Sequence, residues 1–222
     1  MERVVEPEIL DTLAWDDPAA LGNRRDLRVI NALMGNFSWF GSELRQHLHP
    51  GENVLELAAG DGALGRYLYR HVFSPLAHQG DYYGLDRIPR PERWPDEWRW
   101  LEADLEGWCA EEACDIVIGN FILHQLTREQ LAGLGEKLQS ARVLLFNETA
   151  RNQAALYLAR LGYVLGFNHV SRHDAPVSVR AGFKGHELPQ WLGLSDDAWR
   201  IQTSWTPWGS YRMKAIRKDT QR

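Results

Sequence analysis

The chain has 222 residues, enough for one domain that buries a substantial core without disulfides or metals. Its formal net charge of −5, from 30 acidic and 25 basic side chains, provides no basic face for nucleic acid or anionic lipid. We therefore predict neither a nucleic-acid partner nor a membrane partner.

The sequence contains no recognisable targeting segment and no cysteine pattern typical of a metal site. No N-terminal apolar stretch resembles a signal peptide, and no window reaches the roughly 18 apolar residues of a membrane-spanning helix. The two cysteines, Cys109 and Cys114, lack further Cys or His residues at zinc-binding spacing. We predict a cytoplasmic protein whose cysteines are reduced structural thiols, with no bound metal.

The predicted elements alternate between helices and strands. Residues 18–48 have helical periodicity that breaks near Gly35 and Asn36, so we expect helices packed on a sheet or over the carboxyl ends of its strands. Apolar runs bounded by turn residues predict strands at 53–57, 81–86, 98–105, 114–120 and 142–148. Amphipathic stretches predict helices at 62–77, at 127–140 with Thr127 as the N-cap, and at 150–165.

The C-terminal part has a different pattern. A short helix is predicted at 186–194, followed by strands at 198–206 and 211–218 around the turn "PWGS". Such a terminal hairpin places one antiparallel strand in an otherwise parallel sheet, because hairpin neighbours run in opposite directions.

Strands separated by helices imply a parallel sheet with helices on both faces. We predict an α/β fold: a doubly wound, mostly parallel seven-stranded sheet with a C-terminal antiparallel hairpin and an N-terminal helical extension. Within one domain, 1–222, we expect residues 1–50 to form a helical lid and 51–148 a cofactor-binding half. Residues 149–222 would form the substrate-side half and the terminal hairpin.

A glycine turn follows the first predicted strand. Gly60, Gly62 and Gly65 form a G-x-G-x-x-G pattern, and Asp86 ends the next strand, which is typical of dinucleotide-binding βαβ units. Two acids, Glu56 before the turn and Asp61 within it, would face the phosphates of NAD unfavourably. They suit S-adenosylmethionine better, since it carries an ammonium and a sulfonium but no phosphate.

The stretch "VLELAAGDGALG" (54–65) resembles motif I of the class I S-adenosylmethionine-dependent methyltransferases, acid-x-Gly-x-Gly-x-Gly after a strand. Ala58 stands where that family usually has its first glycine. The resemblance continues with the later motifs and the final hairpin, covering roughly residues 40–148 and 185–218. It implies that Asp86 binds the ribose hydroxyls, that Asp104 lies beside the adenine amino group, and that Asn120 ends the motif IV strand.

The resemblance implies a set of cofactor-binding residues at the strand ends. They are Glu56, Ala58, Gly60, Asp61, Gly62, Asp86, Arg87, Asp104, Leu105 and Asn120. An acid at a strand end is also a common helix N-cap, and this alternative stays open for Asp104.

The acceptor is predicted to be a small molecule. The motif IV segment "GNFIL" lacks the Asn-Pro-Pro-aromatic pattern of methyltransferases that act on adenine or glutamine. O-methylation of a phenol or other hydroxyl is favoured over N- or C-methylation. A general base would assist it, and we expect His124 or His173 in this role because a histidine pKa near 6.5 suits proton transfer. Alternatively, His124 packs at the next helix and the His173–Asp174 pair caps a loop.

Residues 149–184 exceed what a minimal methyltransferase needs, and the polar stretch "NHVSRHDAPVSVRAGF" is predicted to be a loop near the substrate. Together with "RRDLRVINALMGN" it resembles stretches of small bacterial methyltransferases of unassigned substrate. An aromatic residue in the N-terminal lid would complete the acceptor pocket. The predicted substrate-binding residues are Trp39, His169, Arg172, Asp174 and Arg180, with Ser178 nearby.

Two other functions remain as alternatives. An NAD-dependent oxidoreductase would explain the glycines and Asp86 but not Glu56, Asp104 or the hairpin. A catalytically silent cofactor-binding protein would explain all of them. The sequence favours a monomer or a homodimer without choosing between them.

Overall fold

The computed structural model describes residues 1–105, 107–108 and 114–218, so Cys109 lies outside the described residues, whereas Cys114 is buried. The strands are β1 (Val54–Leu57), β2 (Tyr82–Asp86), β3 (Arg99–Glu102), β4 (Ile116–Asn120), β5 (Val143–Thr149), β6 (Trp199–Trp205) and β7 (Ser210–Arg217). The helices are α1 (Pro18–Met34), α2 (Asn36–His47), α3 (Ala63–Leu68), α4 (Ser74–Leu76), α5 (Arg128–Lys137), α6 (Gln153–Arg160), α7 (His169–Ala181) and α8 (Glu187–Trp191).

The seven strands form one sheet in the order β3-β2-β1-β4-β5-β7-β6. β1 to β5 pair in parallel, and β7 runs antiparallel to both β5 and β6. The predicted mostly parallel, seven-stranded sheet with a terminal hairpin is therefore confirmed. The insertion of β7 between β5 and β6 distinguishes this order from the 3-2-1-4-5-6 order of dinucleotide-binding folds.

Helices cover both faces of the sheet because successive side chains of a strand point to opposite sides. In β1, Val54 belongs to a core cluster with residues of α2 and α3, whereas Leu55 and Leu57 belong to a second cluster with residues of α5 and α8. α2 buries Phe40 and Leu44 completely, so it is a core helix that supports the sheet.

Local sequence determines several helix ends. Asp17 accepts a hydrogen bond from the Ala19 amide as the N-cap of α1, and Gly35, at φ +66°, separates α1 from α2 where the break was predicted. Thr127 and Gln130 form a reciprocal capping box at the start of α5, which confirms the predicted N-cap.

The predicted loop after residue 165 is wrong. Residues His169–Ala181 form α7, whose N-cap Asn168 accepts a hydrogen bond from the Ser171 amide. The buried face of α7 carries Ser171 and Asp174 as well as valines, so it lacks the apolar periodicity by which a helix is recognised. Pro176 within the helix weakens the sequence signal further.

Neither membrane-spanning helices nor metal clusters are found in the described ranges. No helix there is long and apolar enough to cross a bilayer. No group of three or more His, Cys, Asp or Glu side chains among those residues is placed to bind a metal ion.

Two glycines of α5 provide a matched test of the packing between α5 and Leu192, the residue that follows α8. A Cβ on Gly135 would lie 1.9 Å from the Leu192 carbonyl oxygen, whereas a Cβ on Gly133 would meet nothing within 4 Å. We expect Gly135→Ala to lower the free energy of unfolding by about 1–3 kcal/mol through overpacking. Gly133→Ala should raise it by up to about 1 kcal/mol through helix propensity. Urea denaturation checks both, and equal effects of the two substitutions would contradict the packing.

Candidate active site

Two adjoining cavities lie at the carboxyl ends of the parallel strands. The first, of about 550 Å³, extends over the ends of β1, β2 and β4 and the residues after β3. The second, of about 440 Å³, lies between α1, α6 and α7. Four residues line both cavities: Leu10, Leu27, Phe121 and Gln125. We call these four residues the shared wall.

Nine of the ten predicted cofactor residues line the first cavity, hereafter the strand-end cavity. They are Glu56, Ala58, Gly60, Asp61, Asp86, Arg87, Asp104, Leu105 and Asn120. Gly62 instead begins α3 at φ +71°, where a Cβ would lie 2.8 Å from the Trp94 ring. Its absent side chain therefore lets the turn pack against Trp94 and contributes no surface to the cavity.

The backbone of the turn explains its glycines. Gly60 is at φ +56° and Ala58 at φ +50°, both in the left-handed region that glycine adopts most easily. Ala58 therefore adopts a conformation that costs an alanine about 1–2 kcal/mol. The Gly60 amide donates to Asp86 Oδ2 at 2.7 Å and the Ile88 amide to Oδ1 at 3.1 Å, which fixes the Asp86 carboxylate at the end of β2.

Glu56 is a buried carboxyl at the floor of the strand-end cavity. The Tyr82 hydroxyl donates to its Oε2 at 2.7 Å. Burial, with Asp86 and Asp61 nearby, raises the pKa of Glu56 to about 8 despite that hydrogen bond and Arg66. The free protein at neutral pH therefore holds this carboxyl mostly in its neutral form.

A chain of buried amides connects Asn120 to the N-terminal helices. Asn147 Nδ2 donates to Asn120 Oδ1 at 2.9 Å, and Asn120 Nδ2 donates to Asn31 Oδ1 at 3.1 Å. Asn36 Nδ2 also donates to Asn31 Oδ1, at 2.9 Å, and Ser210 Oγ donates to Asn36 Oδ1 at 2.8 Å. These bonds join α1 and α2 to β4, β5 and β7, so the amide of Asn120 has one fixed orientation.

The N-terminal segment, residues 1–17, crosses both cavities, and local sequence rules do not predict its position. Its residues Leu10, Asp11, Leu13 and Trp15 line the strand-end cavity. Arg87 Nη2 donates to Asp11 Oδ1 at 2.8 Å across that cavity. Burial and the neighbouring Glu8 raise the pKa of Asp11 although Arg87 opposes them. Arg28 on α1 pairs with Asp61 of the glycine turn and adds a second polar link over the cavity.

The position of His124 argues against its predicted role as the base. Its ring is buried, with Nδ1 2.7 Å from Glu148 Oε2 and Nε2 3.2 Å from Glu8 Oε1. Burial alone would lower its pKa, but the two carboxylates outweigh burial and raise it to about 10. His124 is thus an imidazolium whose two ring nitrogens are both engaged, and it has no free lone pair for a proton.

His173 does not reach either cavity, so its predicted role as the base is not supported. Its side chain is 51% exposed, and Nδ1 lies 2.8 Å from Asp174 Oδ1. Asp174 points inward and accepts from the amides of Ile9 at 2.9 Å and Leu10 at 3.0 Å. Asp174 therefore caps the short 3-10 helix Leu10–Thr12, and capping is the alternative that the sequence left open.

Of the predicted substrate residues, Asp174 lines the second cavity and four others lie elsewhere. Trp39 lies on α2, contacts the Phe40 ring and is partly buried against the core cluster. Arg172 stacks over the Tyr163 ring, with 5.3 Å from its guanidinium carbon to the ring centroid. Arg180 Nη2 lies 3.8 Å from Glu6 Oε2, and His169 is exposed at the start of α7. His169, Arg172 and Arg180 were predicted on a loop, but they lie on α7, whose other residues include those that line the second cavity.

Ser178, named with that stretch, does line the second cavity, hereafter the apolar cavity, and donates to Glu8 Oε1. Gln125 Nε2 donates to Glu8 Oε2 at 3.1 Å. With His124, these groups make one buried polar corner around the Glu8 carboxylate. Most of the remaining lining is aliphatic or aromatic, from α1, α6 and the residues after α6.

Comparison with known proteins gives structural matches only. No family model matches the chain, and no curated protein matches its sequence. The plantazolicin methyltransferase BpumL in complex with SAH superposes with a TM-score of 0.68 at 11% identity, over 92% of each chain. The pyocyanin biosynthetic protein PhzM superposes with a TM-score of 0.58 at 16% identity, over 91% of this chain and 60% of its own.

The methyltransferase domain of a bacterial Hen1 protein also matches, with a TM-score of 0.56 at 12% identity, over 81% of this chain and 96% of that domain. These neighbours share the overall fold of the chain but little of its sequence. The chain thus has the Rossmann-like fold of the class I S-adenosylmethionine-dependent methyltransferases.

Proposed function

We propose that this protein is an S-adenosylmethionine-dependent methyltransferase that methylates a hydroxyl group, favouring a phenol, on a small apolar acceptor. The observation that carries the proposal is the pair of cavities with a shared wall. One carries many charged side chains and is lined by the residues of the cofactor motifs, and the other is apolar with one polar corner. Two substrates that exchange a group need such adjacent sites.

The residues of the strand-end cavity fit this cofactor. Its lining contains five carboxyl side chains and three guanidinium groups, which favours a ligand of net positive charge over a dinucleotide with two phosphates. A Cβ on Gly60 would meet nothing within 4 Å, so the turn leaves open space beside its backbone. Asp86 would hold the ribose hydroxyls, Asp104 would lie beside the adenine, and Glu56 would face the cationic end.

The chemistry divides between the cofactor and the protein. Bound S-adenosylmethionine supplies an electrophilic methyl group on a sulfonium. The chain contributes orientation: Phe121 and Gln125 of the shared wall adjoin both ligands, and the aliphatic lining of the apolar cavity excludes water. The fold serves acceptors of several kinds, so the proposed acceptor rests on the lining of this cavity.

Glu8 is the group that we assign to the acceptor proton. Burial alone would raise the pKa of Glu8, but the hydrogen bond and charge of His124, with Ser178 and Gln125, lower it overall. Its carboxylate is therefore ionised, and Gln125 connects it to the shared wall. A hydroxyl bound there loses its proton to Glu8 as its oxygen is methylated, while His124 and Glu148 position the carboxylate.

The cofactor assignment predicts a specific loss of binding. Asp86→Ala should weaken S-adenosylmethionine binding by about 10- to 100-fold, because hydrogen bonds to a charged group are worth about 1.5–3 kcal/mol. Asp96→Ala removes the same charge from a fully exposed side chain outside the cavity and should bind normally. Calorimetric titration with S-adenosylmethionine and, separately, with NAD checks this. Tight binding of NAD alone would instead support an oxidoreductase.

The raised pKa of Glu56 predicts proton release on cofactor binding. A cationic ligand favours the carboxylate, so its affinity should rise with pH below about 8 and level off above it, by at most about tenfold per pH unit. Calorimetry between about pH 6 and about pH 8.5, in buffers of different ionisation enthalpy, counts the protons. The Glu56→Gln variant should bind S-adenosylmethionine more weakly than the wild type at high pH, and its affinity should no longer rise with pH. If the variant kept the slope, another group would be responsible.

The role of Glu8 predicts the pH profile of methyl transfer. Glu8→Gln should lower kcat by about 10²–10⁴-fold for the best phenol found in a screen, with a smaller change in KM. Because the pKa of Glu8 lies below its usual 4.5, the wild-type kcat, measured at saturating S-adenosylmethionine, should stay level down to about that pH. A histidine base would instead give a rise between about pH 6 and 7. Glu6→Gln, two residues away and outside both cavities, is the control.

A further inference from the structure

The apolar cavity has two unlike ends. All the charged groups of its described lining, Glu8, His124 and Asp174, are buried at one end. Other lining residues are apolar and largely exposed: Leu33 by 63%, Leu161 by 48%, Leu165 by 57% and Trp208 by 61%. A side chain that borders a cavity and is half exposed lies at its opening, so these four residues form the mouth of the cavity.

The mouth lies some distance from the reaction zone. On α1 the lining residues Leu27, Ile30 and Leu33 follow one helix face, and Leu27 belongs to the shared wall. Six residues of α-helix at 1.5 Å each separate Leu27 from Leu33, about 9 Å along the axis. This length corresponds to fused or linked rings or to a medium alkyl chain, and it exceeds a single phenol ring.

The exposed apolar surface continues outside the mouth. Val164 is 83% exposed, and Tyr157 and Tyr163 on the same stretch are also exposed, although none of the three lines the cavity. Contiguous exposed apolar side chains on a water-exposed domain mark a binding surface. Tyr163 and Val164 lie between Leu161 and Leu165 of the mouth in the sequence, so this surface adjoins the cavity, and one ligand that begins inside the cavity accounts for both.

Resting on the proposed function, we propose that the methyl acceptor is an elongated apolar molecule with a single hydroxyl at one end. The hydroxyl binds at the polar corner beside Glu8, the body fills the apolar cavity along α1, and the tail passes between Leu33, Leu161, Leu165 and Trp208 to the surface. A polar or charged tail is disfavoured because the described lining beyond the polar corner carries no charge.

The test compares phenols of increasing length. Phenol, 4-butylphenol and 4-octylphenol are titrated by calorimetry into protein saturated with S-adenosylhomocysteine, whose own binding is measured first. We expect the affinity to rise by up to about fourfold for each methylene group that the cavity covers. An affinity for 4-octylphenol no greater than that for phenol would overturn the elongated acceptor, as would failure of every phenol to bind.

Two serine substitutions test where the tail of the bound phenol lies. Leu165→Ser should weaken 4-octylphenol binding by about three- to tenfold, because an apolar side chain at the mouth is lost. Leu76→Ser is the matched control, since Leu76 is 52% exposed and Leu165 57%, but Leu76 lies on α4 and lines neither cavity, so it should leave binding unchanged. Equal effects of the two variants would place the tail elsewhere and overturn the proposal.

Binding measurements on the same protein distinguish failure of this proposal from failure of the proposed function. They also distinguish a methyl acceptor from other ligands of the surface. If S-adenosylhomocysteine and S-adenosylmethionine fail to bind, the proposed function fails. If they bind but the phenols show no dependence on length, only the elongated acceptor fails. Flotation with neutral phosphatidylcholine vesicles, or self-association that Leu165→Ser abolishes, would assign the surface to lipid or to a second copy and contradict the proposal.

Discussion

The buried imidazolium of His124, between the carboxylates of Glu8 and Glu148, is the interaction on which the rest of the site depends. Glu148 belongs to the central sheet and also accepts from the amides of Ile122 and Leu123, whereas Glu8 belongs to the N-terminal segment. One buried cation thus joins that segment to the sheet. Removing one member would leave an uncompensated buried charge, which is strongly destabilising. The N-terminal segment lines both cavities, so the shape of the cavities depends on this cluster.

The lining of the strand-end cavity could be predicted from sequence because its residues lie at the ends of short apolar strands. Glu56, Asp86 and Asn120 each lie among the last two residues of a strand, and strand ends in a parallel sheet meet at one edge. Periodicity and turn residues therefore determine their positions within a residue or two. The terminal hairpin was predictable for the same reason, since "PWGS" separates two alternating runs.

The lining of the apolar cavity could not be predicted in this way. α7 packs through Ser171, Asp174 and Ser178, so its inner face is polar and hydrogen-bonded, and periodicity identifies apolar faces only. The N-terminal segment has no regular structure around Glu8, and contacts more than a hundred residues away in sequence determine its path. Likewise, His124 has the residue type of a base, but its two carboxylate neighbours come from distant parts of the chain.

Phe121 connects the two cavities and has a backbone φ of +59°, an uncommon conformation for a bulky side chain. Its amide donates to the Asn147 carbonyl, and the next amide donates to Glu148, so the surrounding sheet imposes this conformation. A change in the conformation of Phe121 therefore alters the contacts of a ligand in either cavity. Thermodynamic linkage makes this reciprocal: if one ligand changes the affinity for the other through Phe121, the second changes the affinity for the first by the same factor.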